Sequence, residues 1–309
     1  MRVLFSAQDP GGKNAIAPVI EALKNEGAEV GENIKDPDIF IAGTSGGDSP
    51  DKHSMQELGE TPSLYVLDFW SNYWQRFSTL GKKDFAFLPT RVCVMDDIAK
   101  EEMIAEGFPP ERLIVTGNPH FDHFADAITR ESEEVERILF ISQPIRAVAS
   151  LPGFSQVSCD EYTALKDILS ILETVPGKYY LSIRLHPKEP ADTYVEYLGP
   201  RVRRADEATL EEAISKSGLI IGISSPVLMQ AVAAGKKVLS YEPYLIGKDP
   251  LVSNRVGVTI RIENKEALLE ALFAYARQEW SFTTRSLREV WPTGATGRVV
   301  KVVHELAGL

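Results

Sequence analysis

The chain has 309 residues and a formal net charge of −11, with 44% hydrophobic and 25% charged residues. That is about twice the length of one domain, with the composition of a soluble globular protein, and the negative balance argues against a nucleic-acid partner, which selects basic surfaces. Two widely separated cysteines, Cys93 and Cys159, exclude a disulfide scaffold, and no apolar run is long enough to span a bilayer or serve as a signal peptide, so a cytoplasmic protein is expected.

Arg2–Ser6 reads as a buried strand. A glycine-rich turn follows over Gln8–Asn14, and the apolar spacing then predicts a helix over roughly Ala15–Asn25. Further strands are expected at Asp38–Ala42, Ser63–Leu67, Val92–Met95 and Leu113–Thr116, with a helix near Asp97–Glu106. The polar, acidic stretch Ala125–Glu136 reads as a linker. The pattern restarts with strand Arg137–Ile141 and a loop, Ser142–Ser158, whose length points to function. A helix around Tyr162–Thr174, strand Tyr179–Leu185, a short strand near Arg201–Arg203 and a helix near Thr209–Lys216 follow. Strand Leu219–Ile223, helix Pro226–Ala234, strand Lys237–Tyr241 and a helix near Lys265–Arg277 complete the second half.

Strands alternating with helix-length segments make βαβ units and a mostly parallel sheet. The expected organisation is α/β: two doubly wound Rossmann-like domains, residues 1–130 and 137–285, facing an interdomain cleft. Residues 286–309 form a C-terminal helix packing back on the first domain. Ligands of such sheets bind beyond the C-terminal strand ends, so the loops after strands are where function is sought.

Several segments on those loops carry chemistry. In Leu219–Gly235 a strand turns through Ser224 and Ser225 into a helix, with Ser225 as N-cap and Pro226 as first helical residue. Free N–H groups and two hydroxyls there suit a diphosphate; a capped helix without a ligand has the same pattern. In Ile183–Lys188, strand periodicity sets Arg184 and His186 on one face, where both can donate to phosphate oxygens. The plain alternative is a surface histidine beside a proline turn.

Gly11-Gly12-Lys13 is not a P-loop, because Ala7 and Asn14 stand where glycine and Ser or Thr are required. It reads instead as a flexible turn that a ligand approaches closely, with Asp9 facing the cleft. Asp68–Phe77 places aromatics at 69, 70, 73, 74 and 77 beside a polar row of Asp68, Asn72 and Arg76. This is either core packing or a sugar site in which rings stack and the polar row bonds hydroxyls. His120, Asp122 and His123 read as structural rather than as a metal site.

At these residues the chain resembles the GT-B superfamily, specifically a branch of bacterial envelope enzymes. That branch includes UDP-GlcNAc 2-epimerase, lipid-A disaccharide synthase and the CDP-glycerol glycerophosphotransferases. Asp36–Gly43 is similar to their "PD-apolar-run-G" strand, and Ile114–Asp122 to their "VTGN-x-x-x-D" segment. Arg184–Pro187 looks like "R-x-H-P", whose histidine contacts the donor diphosphate, and Ser224 through Gly235 looks like the donor motif. The chain departs at Gln230, where the motif has a ribose-binding Glu, and after Gly43-Thr44, which lacks the epimerases' Asp. Ser142-Gln143-Pro144-Ile145-Arg146 replaces their "H-R-x-E-N"-like loop, which favours a transferase over an epimerase. Asp68 keeps a carboxylate where the epimerases have a catalytic Glu.

The resemblance implies a metal-independent, cofactor-free transferase moving a sugar or polyol phosphate from a nucleotide-linked donor to a hydroxyl acceptor. The acceptor would be a glycan or lipid-linked, the role bacterial surface-glycan biosynthesis, and the location the cytoplasm or the inner face of the membrane; a homodimer is compatible. Donor contacts would come from Arg184, His186, Ser224, Ser225, Gln230 and Arg146. Acceptor contacts would come from Gly11, Gly12, Trp70, Asn72 and Arg76, with Asp68, or else Asp9, as general base. The alternatives are an epimerase on the same donor and a non-catalytic nucleotide-sugar-binding protein.

Overall fold

The computed structural model describes residues 1–123, 133–152 and 159–309. The chain divides into two compact units, the first built on residues 1–123 with Trp291–Leu309, the second on residues 133–151 and 159–290.

The first unit is a sheet of six strands, β1 (Arg2–Ser6), β2 (Glu29–Gly31), β3 (Ile39–Gly43), β4 (Ser63–Val66), β5 (Arg91–Val94) and β6 (Leu113–Val115). They are parallel throughout, in the order β2-β1-β3-β4-β5-β6. β3 and β4 are buried at every residue, which is why they read as unbroken runs rather than alternating ones. The order reverses between β1 and β3, the crevice where open α/β sheets take ligands.

Helix α1 (Pro10–Asn25) turns Ala15, Ile16, Val19, Ile20 and Leu23 into the core. It begins five residues before the start that spacing predicts, because Pro10 occupies its first turn, where the missing N–H costs nothing. Gly11 and Gly12 are therefore helical rather than a flexible turn. A Cβ on Gly43 would lie 2.6 Å from the main chain of Gly12, so the helix seats on the end of β3 only because both residues lack side chains. Helices α2 (Pro50–Glu57), α3 (Tyr73–Arg76) and α4 (Asp97–Ala105) complete the connections.

The C-terminal helix, Ala295–Leu306, buries Val299, Val300, Val302 and Val303 in the same core as α1. Its start is held from far away in sequence. The Asp122 carboxylate accepts from the N–H groups of Gly294 (2.8 Å), Ala295 (3.2 Å) and Thr296 (2.9 Å), and from Thr296 Oγ1 (2.8 Å). The acid that closes the Ile114–Asp122 segment is thus a helix cap. Asp122→Ala is expected to cost about 1–2 kcal/mol, read as a lowered denaturant midpoint at unchanged slope. An unchanged midpoint would show that the helix is held by its apolar face alone.

The second unit is also a parallel six-stranded sheet, β7 (Glu134–Ile141), β8 (Tyr180–Arg184), β9 (Val202–Arg204), β10 (Ser217–Gly222), β11 (Lys237–Tyr241) and β12 (Ile260–Ile262). Its order is β12-β11-β10-β7-β8-β9, the Rossmann order, with the reversal between β7 and β10. Helices α5 (Ile145–Ala149), α6 (Glu161–Leu172), α7 (Leu210–Ser215), α8 (Val227–Ala233), α9 (Val252–Arg255), α10 (Lys265–Ala276) and α11 (Leu287–Val290) connect and flank the strands. Glu134–Glu136, read as linker, belong to β7; residues 125–132 of that stretch lie outside the described residues. The expected loop Ser142–Ser158 contains α5, and its residues 153–158 also lie outside. Spacing missed β2 and β12, three-residue edge strands too short to show a period.

Candidate functional site

In the first unit the candidates gather where β1, β3 and β4 end. Thr44 follows β3 and Asp68 follows β4, and Thr44 Oγ1 donates to Asp68 Oδ1 at 2.6 Å. Arg76 Nη1 donates to the same Oδ1 at 2.7 Å and meets Thr44 Oγ1 at 2.9 Å. The Asp68 and Arg76 side chains are only 12% and 11% exposed. Asp68 Oδ2 has no hydrogen-bond partner among the described residues. It lies against the start of α1, where a Cβ on Gly11 would sit 2.1 Å from it. A carboxylate beside a helix N-terminus is favoured by the helix dipole. Asp9 occupies the N-cap position of α1, its carbonyl accepting from Lys13 N–H at 2.9 Å.

The row of Asp68, Asn72 and Arg76 does not come from one helix. α3 spans only Tyr73–Arg76, and Asn72 has φ +54°, so the chain turns sharply before it. That turn brings Arg76 back onto Asp68, while Asn72 Nδ2 only reaches Ser71 Oγ. Sequence reading missed Lys52, which fixes this arrangement. Its buried Nζ donates to the carbonyls of Gly47 (2.5 Å), Gln75 (3.0 Å) and Ser78 (3.0 Å), holding the chain on either side of Arg76. Burial lowers the pKa of that amine.

Two acceptor assignments in this unit are corrected. Trp70 is 2% exposed. It packs against Trp291 and Phe121 with ring centroids 5.2 and 5.9 Å away, and its Nε1 donates to Asp96. A ring with no open face cannot stack a sugar, so Trp70 is core, as are Tyr73 and Phe77. Gly12 is buried against Gly43 and Thr44, so it admits neighbouring backbone rather than a ligand; Gly11 remains exposed.

In the second unit Arg184 ends β8, and its Nη1 donates to the carbonyls of Ala205 (3.2 Å) and Glu207 (2.7 Å). The His186 Nδ1 accepts from Lys188 N–H at 3.1 Å, which assigns the proton of the neutral ring to Nε2. Arg184, His186, Pro187, Glu189, Arg204 and Ala205 line a cavity of about 320 Å³. Two guanidinium groups and an imidazole against one carboxylate make its wall attractive to anions, in a chain of net charge −11.

Ser224 and Ser225 follow β10 at the sheet's reversal point, and the chain there is partly self-satisfied. Ser224 N–H donates to Gln143 Oε1 at 2.9 Å, and Ser225 Oγ accepts from Val227 N–H at 3.3 Å. The helix begins one residue later than predicted, at Val227. Gln230, expected on a ribose, is 4% exposed, with Nε2 donating to Glu211 at 3.2 Å. Arg146, expected on phosphate, pairs with Asp160 (Nε to Oδ2 2.7 Å) and lies over the Tyr162 ring at 4.3 Å. The Gln230 assignment is corrected, since that side chain ties α8 to α7 inside the fold; Arg146, its side chain 59% exposed, forms an ion pair at the start of α6.

Gln143, Glu189 and Thr44 were absent from the expected site. Gln143 and Thr44 reach their partners through the fold rather than along the chain, whereas Glu189, three residues after His186, carried a readable signal as an acceptor for a turn. Among the described residues no group of three or more His, Cys, Asp or Glu side chains could hold a metal ion, and no helix is long and apolar enough to cross a membrane.

No family model matches the chain, and no curated protein matches it in sequence. Solved structures do. The Methanocaldococcus jannaschii UDP-GlcNAc 2-epimerase in complex with UDP-GlcNAc and UDP superposes with a TM-score of 0.68 at 12% identity, over 99% of this chain and 100% of that one. The S. aureus MnaA–UDP co-structure gives 0.69 at 13% identity, over 100% and 97%. The apo form of WaaB, a lipopolysaccharide outer core galactosyltransferase, gives 0.51 at 12% identity, over 99% of each chain. The chain has the GT-B fold, with two Rossmann-like domains.

Proposed function

We propose that the protein is a nucleotide-sugar enzyme of the glycosyltransferase kind, in which the second unit binds the nucleotide diphosphate. The observation that carries this is the cavity holding Arg184 and His186 at the C-terminal strand ends of a sheet with Rossmann order. Arg184 Nη1 is anchored on two carbonyls, so its guanidinium is pre-oriented for phosphate oxygens, and His186 presents Nε2–H. In the transfer, an acceptor hydroxyl gives its proton to Asp68 and bonds the sugar carbon as the bond from that carbon to the diphosphate oxygen breaks. The charge growing on the leaving diphosphate falls to Arg184, His186 and the Ser224–Ser225 turn, and no metal ion is needed.

A nucleoside diphosphate at 100 times its Kd is expected to stabilise the protein by about 2.7 kcal/mol, with EDTA present or absent. Arg184→Ala and His186→Ala are each expected to weaken that binding about tenfold to hundredfold, the loss of a charge-assisted bond. Titration of both variants tests this, and unchanged affinity in both removes the cavity from the donor site.

A second reading, an epimerase, is favoured by the likeness to two proteins whose structures hold UDP, one named a UDP-GlcNAc 2-epimerase. Incubation with UDP-GlcNAc and no acceptor separates the two readings: a changed sugar configuration supports the epimerase, and an unchanged sugar the transferase.

A further inference from the structure

Resting on that reading of the second unit, we infer that Glu189 is the positioning residue of the donor site, locking the His186 loop to the ends of β7 and β10. Its Oε2 accepts from His186 N–H at 2.7 Å. Its Oε1 accepts from Ser142 Oγ at 2.8 Å and from Tyr194 Oη at 3.0 Å. Ser142 and Tyr194 are 2% and 3% exposed and stand 2.5 Å apart, oxygen to oxygen.

The lock extends one step further. Ser142 is the first residue beyond β7, and Gln143 beside it takes the N–H of Ser224 at 2.9 Å. The half-buried carboxylate therefore ties the loop after β8 to the loop after β7, and Gln143 ties that one to the loop after β10, β7 and β10 flanking the reversal of strand order. Glu189 acts through His186 and Ser224, by deciding where their donors stand.

The chemistry separates position from mere stability. A carboxylate accepts from all three donors. Gln keeps most of this, with its amide oxygen on His186 N–H and its NH₂ donating to a hydroxyl oxygen, whereas Ala keeps none. Ser142 and Tyr194 still bond each other in the Ala variant, so the core beneath survives while the loop above is released.

The test titrates the full-length wild type, Glu189→Ala, Glu189→Gln and His186→Ala with UDP, CDP, GDP and ADP, and follows backbone hydrogen exchange at His186 in the free protein. Glu189→Ala is expected to weaken binding about tenfold to hundredfold and to speed exchange at His186, with Glu189→Gln restoring both to within a few-fold. Adding His186→Ala to Glu189→Ala is expected to bring little further loss, because coupled sites are non-additive. Wild type that binds a nucleotide, with Glu189→Ala binding equally well, overturns the positioning role and leaves the functional reading standing. Wild type that binds none of the four overturns the functional reading, and with it any donor site for Glu189 to position.

Discussion

Asp68→Asn is expected to cut transfer by roughly a hundredfold to ten-thousandfold, the usual worth of a general base, while nucleotide affinity stays unchanged. The substitution is selective because the two oxygens of Asp68 do different things. Oδ1 accepts from Thr44 and Arg76, and the amide oxygen of Asn can take its place. Oδ2, beside Gly11, has no partner among the described residues, and there Asn puts an NH₂ that cannot accept a proton. The geometry is kept and the base is removed. Arg76 loses a counter-charge, so the melting temperature is measured alongside the rate. Near-normal turnover in a folded Asp68→Asn protein would end the base role and leave Asp68 as the anchor of Arg76 and Thr44.

Glu242→Gln should change how stability depends on pH. Glu242 follows β11 and is 6% exposed, its Oε2 lacking a hydrogen-bond partner. Burial, and then the nearby Asp249 carboxylate, raise its pKa from 4.5 to about 7, against the partial relief of Arg261. The folded state therefore holds this proton more tightly than the unfolded chain does. Its contribution is fully present below about pH 4.5 and is lost as the pH rises through about 7. At 1.36 kcal/mol per unit the whole effect is about 3 kcal/mol. Gln is neutral at every pH, so the variant's advantage over wild type should grow between those values and level off above pH 8 or so. Denaturant midpoints across that range measure it, and parallel curves for the two proteins would show that the carboxyl ionises without cost.

Most of the fold was legible because strands and helices leave periodic marks. Ile39 through Gly43 and Leu219 through Gly222 are buried strands, and Val3 through Ser6 a half-buried one, that no other element accommodates as well, and their alternation with helices already meant two parallel sheets. Arg184 and His186 were legible for the same reason, since a strand's end and its alternation place them together at the ligand edge. Trp70 was not, because helical spacing of aromatics marks a packed face and a binding face alike; what decides is whether Trp291, more than two hundred residues away, covers the ring.

By itself the sequence determined the two α/β domains, the loops where chemistry could sit, and the residue types available there. Only the tertiary structure decided which of those residues were already spoken for. Gln230 went to Glu211, Arg146 to Asp160, and Asp122 to the start of the C-terminal helix. It also brought Asp68 to Arg76 and Glu189 to Ser142. The reason is range: hydrophobic periodicity is a local property of the chain, whereas a hydrogen bond acts over about 3 Å of space and is indifferent to how many residues separate its partners.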